Sequence, residues 1–235
     1  MTAIRYDLHL HTEYSPDCDT AVSDIEAHCL ALGLTGIAVT DHDTITGAVK
    51  LRDSVKNLHV IVGEEVTSSD GDIIGLFLHE RIPPGMSGTN TIRAIHDQGG
   101  LVYLPHPFDR TRVRRTGGAS LSSIIDGVDI VEAFNGKVGQ DSYNTMAAEY
   151  AQRNNKREAG GSDAHSLRAI GTVTNEFTLP DGLSPALMTP DIFLNALHTN
   201  LICGRRRSKI GGVFIIGRRP FSLAWRRLRR RKNGS

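Results

Sequence analysis

Cysteine is scarce in this chain and never falls in a metal-binding or redox spacing. Its three copies, Cys18, Cys29 and Cys203, include no CxxC pair, which argues against a disulfide framework and for a reduced compartment. Long apolar runs are missing too. None approaches the roughly 20 residues that a membrane-crossing helix needs, and no secretory leader opens the sequence. The expectation is a cytoplasmic protein. Acid is absent from one end: residues 204–235 hold 12 Lys/Arg and no Asp or Glu. The near-neutral total of +1 therefore hides an acidic body, with 15 basic against 26 acidic residues over 1–203. This asymmetry predicts a domain over 1–203 followed by a basic segment over 204–235.

What remains is ordinary globular material, 39% hydrophobic and 23% charged, of a length that suits one α/β barrel. Short apolar runs predict strands at 4–9, 36–40, 60–66, 73–78, 101–104, 128–134, 158–162 and 172–179. Amphipathic stretches between several of them predict helices at 23–32, 44–56, 89–97, 120–126, 142–154 and 190–199. Ser23-x-x-Glu26 reads as a capping box, and Thr189 followed by Pro190 reads as a second helix start. Strand–helix alternation at this spacing predicts a parallel sheet, open or closed into a barrel. The SSDGD run at 68–72 predicts a hairpin turn instead.

The histidines are not scattered. Of ten, five (His9, His11, His42, His106 and His165) stand at or just after the C-terminal end of a predicted strand. They sit in DLHLH, TDHD, PHP and SDAH, beside carboxylates. On a regular strand Asp7, His9 and His11 share one face and Leu8 and Leu10 the other. HxH alone is a weak motif. In a parallel α/β barrel, however, the strand C-termini converge on one face, and that face carries the active site. Glu64, Glu65 and Glu132 occur in the same kind of place. The pattern predicts a metal cluster. His28, His59, His79, His96 and His198 lie elsewhere and read as surface or core residues.

Taken in order, DLHLHT…SPD, TDHD, GEEV, GDIIG, PHP and SDAH resemble the polymerase and histidinol phosphatase (PHP) superfamily of metal-dependent phosphoesterases. The resemblance covers about residues 4–203. It implies a distorted seven-stranded (β/α), TIM-like barrel with two or three divalent ions at the strand C-termini. One ion would take His9, His11, Glu65 and Asp163. A second would share Glu65 and add His106 and Asp72, where relatives often carry a histidine. A third would take Asp17, His42 and His165. The family pattern G-x-E selects Glu65 over Glu64. Glu65 and Asp163 are the expected catalytic carboxylates, and Asp7, Asp43 and Glu132 the expected partners behind the ligands. Mixed nitrogen and oxygen donors suit Mn²⁺, Zn²⁺, Fe²⁺ or Mg²⁺.

The implied reaction is hydrolysis of a phosphate mono- or diester by metal-activated hydroxide. The substrate would be a small phosphorylated metabolite, a nucleotide or a short oligonucleotide. Arginine's planar fork suits phosphate, and Arg110, Arg112 and Arg168 stand near the implied site; Asn135 and Lys137 also follow a strand end. Three alternatives are a histidinol-phosphate phosphatase, a nuclease that holds its strand with the basic segment, and a non-catalytic metal-binding module. If helical after Pro220, the basic segment places Phe221, Ala224, Trp225 and Leu228 on one arginine-flanked stripe. That suits peripheral contact with an anionic membrane surface, or with nucleic acid.

Overall fold

The structure, a computed structural model, describes residues 2–111, 118–207 and 213–220. Every strand and helix expected within residues 4–199 is present. The strands are β1 (Thr2–Leu10), β2 (Gly36–Val39), β3 (His59–Ser68), β4 (Gly71–Leu76), β5 (Leu101–Leu104), β6 (Ile130–Asn135), β7 (Arg157–Gly161) and β8 (Val173–Leu179). Helices α1 (Val22–Ala31), α2 (Thr46–Ser54), α3 (Gly88–Asp97), α4 (Gly118–Ile124), α5 (Asp141–Arg153) and α6 (Pro190–Ala196) fall between or after them. Two further strands, β9 (Leu201–Arg207) and β10 (Val213–Pro220), extend the sheet antiparallel beyond β8.

β1 to β7 follow one another around a nearly closed barrel. The pairs β1–β2, β2–β3, β5–β6 and β6–β7 are parallel, while β4 runs antiparallel to both β3 and β5. The hairpin joining β3 to β4 is the SSDGD turn. The seam between β7 and β1 closes just past the strand ends, where His11 N donates to Ala164 O (2.9 Å) and Asp163 N to His9 O (2.8 Å).

Two apolar clusters account for this shape. Ile4, Tyr6, Leu8, Ala38, Ile61, Ile74, Tyr103, Ile130 and Ala159, drawn from all seven strands, fill the barrel, and α6 adds Phe193 against Phe177. Each fully buried Ile, Leu or Phe among them contributes about 1.5–3 kcal/mol. On the outer face Ile37, Val39, Val62, Val102 and Val131 meet Ile25, Leu51, Ile95 and Ala147 of the surrounding helices. Strands hidden on both faces in this way lose the polar alternation of a half-exposed sheet.

The α6 start is as expected, with Thr189 accepting from Ile192 N. The capping box is not. α1 begins at Val22 with Ala21 as its cap, so Ser23 lies inside the first turn and donates to Asp24. Glu26 turns instead to the backbone N–H groups of Lys56 and Asn57, and Glu13 accepts from Val22 N. Among the described residues no helix is long and apolar enough to cross a membrane. β9 carries the chain across residue 203, and the helix expected after Pro220 lies outside the described residues.

Candidate metal centre

β1 delivers the first two histidines through an irregularity that its sequence does not advertise. Between Asp7 and Leu10 it advances three residues while β2 advances two, from Ile37 to Val39. Such a bulge re-aims side chains. Leu8 therefore packs inside the barrel and Leu10 against the helices, rather than sharing a face. Asp7 is corrected in the same way. It turns from the histidine face, and its carboxylate accepts from Ser162 N (3.0 Å), Gly171 N (2.8 Å) and, more weakly, His9 N (3.4 Å). It is thus a brace across the β1–β7 seam, directly behind His9.

At the barrel mouth the remaining side chains converge on Glu65. Its Oε1 lies 3.0 Å from His106 Nε2, and its Oε2 lies 3.2, 3.3 and 3.5 Å from His9 Nε2, His11 Nε2 and His42 Nδ1. Asp163 Oδ1 stands 3.7 Å from His11 Nε2 and 3.9 Å from His9 Nε2. His165 Nε2 is 2.8 Å from Asp17 Oδ2, with His42 3.7 Å from the same oxygen. Three groups result, each with ligand atoms within 4.8 Å of one another: His9, Glu65 and His106; His9, His11 and Asp163; and His11, Asp17, His42 and His165. Each group offers the mixed nitrogen and oxygen donors that suit a divalent ion. The His42 Nδ1 is buried without a hydrogen-bond partner, an unmet polar atom of the kind an ion satisfies.

Behind these candidate ligands lies a layer that fixes which nitrogen faces inward. Glu132 is fully buried; its Oε1 accepts from His9 Nδ1 (3.0 Å) and Tyr103 OH (3.1 Å), its Oε2 from His106 N (2.7 Å) and Asn135 Nδ2 (2.9 Å). Holding Nδ1–H leaves the His9 Nε2 lone pair for an ion, as buried carboxylates do behind metal-bound histidines. Asn135 also donates to Asp163 Oδ2 (3.1 Å). Ser15 Oγ sits 3.0 Å from His11 Nδ1 and accepts from His42 N (2.9 Å). Asp43 accepts from Thr67 N (2.7 Å), while its own N–H donates to Glu65 O. Asp43 (φ 54°), His106 (φ 27°) and Asp163 (φ 51°) all occupy left-handed backbone. Non-glycine residues accept that strain chiefly where the surrounding structure over-determines it, as at functional sites.

The electrostatics divide the cluster in two. Burial favours neutral His9, yet Glu132, Glu65 and Asp163 outweigh it and hold its pKa well above the usual histidine value. Burial likewise opposes charge on Glu65, but His9 and the hydrogen bonds from His106 and His11 drive its pKa well below the carboxylate range. At the rim, burial lowers His42, and burial with the neighbouring His11 lowers His165 to about 4. So lowered, both rings favour the neutral form, in which imidazole binds a metal.

Asp72 joins none of the three groups among the described residues. It pairs with Thr67 at the hairpin, and strand alternation gives it the face of Ile74, which packs inside the barrel. Glu64 faces the other way and accepts from Ile82 N. Arg110 and Arg168 are exposed, and Arg112 lies outside the described residues. The sequence reading missed Asp41, whose carboxylate accepts from Thr12 N (2.6 Å) and Thr12 Oγ (2.7 Å) and so ties the β2 end to the β1 end. It also missed Ser15. Both stand inside the motifs TDHD and DLHLHT…SPD, beside candidate ligands.

One glycine is dictated by this packing. A Cβ on Gly161 would overlap both His9 Cβ and Glu132 Oε1. Gly161→Ala is therefore expected to displace His9, to cost about 1–3 kcal/mol of stability, and to lower Mn²⁺ affinity. Denaturant unfolding and metal titration of the variant check this.

A family model described as PHP domain matches residues 7–152, and one described as PHP-associated matches 141–200. The chain belongs to the PHP domain family. It is the superfamily of metal-dependent phosphoesterases that the six motifs resemble, and membership places the chain among hydrolases of phosphoric ester bonds. This PHP chain is 31% identical over 197 residues to the uncharacterised protein MJ0417 of Methanocaldococcus jannaschii, covering 83% of the chain and 79% of that relative. It shares its fold (TM-score 0.70, 16% identity) with a two-domain Bacteroides vulgatus protein containing a predicted PHP-like metal-dependent phosphoesterase, covering 86% of this chain and 64% of that one. It is similar as well to the lesion-specific endonuclease PfuEndoQ of Pyrococcus furiosus (TM-score 0.57, 16% identity), covering 92% of this chain and 58% of that one. The chain thus spans less than two thirds of either solved protein, and identities this low show the fold alone.

Proposed function

We propose that this PHP chain is a divalent-metal-dependent phosphoesterase acting on mono- or diesters of a small phosphorylated metabolite, nucleotide or short oligonucleotide. The observation that carries the reading is the convergence of five histidines, Glu65, Asp163 and Asp17 into three contiguous donor groups at the barrel mouth. His9, His11, Glu65 and Asp163 would hold one ion, Glu65 and His106 a second, and Asp17, His42 and His165 a third. Asp72 remains a candidate for the second because it shares the inward face of β4. Bound Mn²⁺, Zn²⁺, Fe²⁺ or Mg²⁺ would bring the pKa of water towards neutrality and neutralise charge developing on phosphate oxygens.

The chain's own residues then orient the reaction. Glu65, within 3.5 Å of His9, His11, His42 and His106, would be shared by the first two ions. Asp163, with Oδ2 tied to Asn135, turns Oδ1 to the histidines and is the second catalytic carboxylate. Arg110 and Arg168, both exposed, would take substrate oxygens, and Arg112 is a further candidate by its sequence position. A second reading is cleavage of nucleic acid held by the basic segment 204–235. The 12 Lys/Arg there favour it, as does the fold shared with a lesion-specific endonuclease.

Metal analysis of the purified protein tests the proposal, followed by turnover of p-nitrophenyl phosphate, its bis ester and short DNA and RNA. The expected result is turnover with Mn²⁺ that disappears on chelation and returns when Mn²⁺ is restored. Failure on every substrate with metal bound would leave a metal-binding module.

A further inference from the structure

We propose that Lys137 grips the phosphoryl oxygens of the substrate, and that it thereby favours the doubly charged phosphoryl group of a monoester over the singly charged group of a diester. The inference rests on the phosphoesterase reading above and sharpens its substrate class.

Lys137 follows β6, and its backbone is fixed from within the site: Lys137 N and Val138 N both donate to Asn135 Oδ1, at 2.8 and 3.1 Å. The same asparagine donates to Glu132 and Asp163. Lys137 is thus anchored through one buried amide to the carboxylates that organise the cluster. Its ammonium lies 3.7 Å from Asp163 Oδ1 and about equally far from both ring nitrogens of His165, 3.1 and 3.0 Å. Those nitrogens lie against oxygen acceptors, Nδ1 3.0 Å from Asp163 O and Nε2 2.8 Å from Asp17 Oδ2, and a neutral ring donates to only one of them. An ammonium equidistant from both cannot lie in line with either lone pair, so His165 does not hold it.

The side chain is 41% exposed, at the junction of the Asp163 and His165 groups. Arg110 and Arg168 are exposed and have no such anchorage to the cluster. The carboxylate beside it, Asp163, would have its charge offset by a bound cation, so an ammonium here meets like-charge repulsion unless a further anion lies against it. The anion that belongs there is the substrate. Coulomb attraction grows with the charge of the bound group, so the ammonium holds a dianionic phosphoryl more strongly than a monoanionic one.

Lys137→Ala, with Arg153→Ala on the outer face of α5 as a control, is compared with the unaltered protein by metal analysis, turnover and phosphate binding. Expected for Lys137→Ala are unchanged Mn²⁺ content, a fall in kcat/KM of about 10²-fold on p-nitrophenyl phosphate, and about tenfold or less on the bis ester. Inorganic phosphate affinity of the Mn²⁺-loaded protein, measured by calorimetry, should fall about tenfold, and Lys137→Arg should recover most of both losses. Turnover and phosphate binding within threefold of the unaltered protein would overturn the proposal. Equal losses on both esters would overturn the monoester preference, and loss of Mn²⁺ would make Lys137 part of the metal centre instead. If the unaltered protein turns over neither ester, the phosphoesterase reading fails, and phosphate affinity alone then decides the role of Lys137.

Discussion

Replacing His11 with alanine is expected to abolish metal-dependent turnover while leaving the barrel folded. His11 belongs to two of the three donor groups. Its Nε2 lies 3.3 Å from both His9 Nε2 and Glu65 Oε2, and its ring sits 4.2 and 4.7 Å from those of His165 and His42. One deletion therefore opens two sites together, whereas loss of Asp17 opens only the rim. The fold should survive because His11 belongs to neither apolar cluster. Mn²⁺ content and turnover of p-nitrophenyl phosphate, with circular dichroism as the folding control, make the test. A fully active His11→Ala variant would end the site assignment.

Glu132→Gln is expected to weaken Mn²⁺ binding by about 10–100-fold, the usual cost of losing a partner behind a metal-bound histidine. The physical reason is a mismatch of donors. As a carboxylate, Glu132 accepts from His9 Nδ1, Tyr103 OH, His106 N and Asn135 Nδ2 at once. Glutamine offers one accepting oxygen and a donating NH₂, so two of those donors would face another donor in a buried site. Each buried donor left unpaired costs about 1–3 kcal/mol, so the metal-free protein should also be less stable. Mn²⁺ titration and urea unfolding read the two effects separately. Unaltered affinity with lowered stability would mean that Glu132 supports the barrel and not the ligands.

Both predictions concern residues whose roles the motifs led one to expect, but the particular partners of Glu132 were not legible in the chain. His11 stands in HxH at a strand end, and strand ends converge in a parallel barrel whatever the side chains are. Glu132 stood at a similar place, but its partners come from β1, β5, the turn after β5 and the end of β6, and all but Asn135 lie at sequence separations that no local pattern reports. Asp41 was missed for the same reason: its partner, Thr12, is 29 residues away. The capping box at Ser23 misled because a local motif competes with a helix start one residue earlier, where Glu13 from another loop satisfies the first N–H.

Periodicity and spacing by themselves determined the order of strands and helices, the hairpin at 68–72, and the placement of five histidines at strand ends. Those features depend on interactions within a few residues, or on the topology that such elements impose. Only the tertiary structure decided how β1 presents its ligands, which carboxylate stands behind which imidazole, and that Lys137 borders the cluster. These rest on a one-residue bulge and on contacts across the barrel, set by how the strands meet.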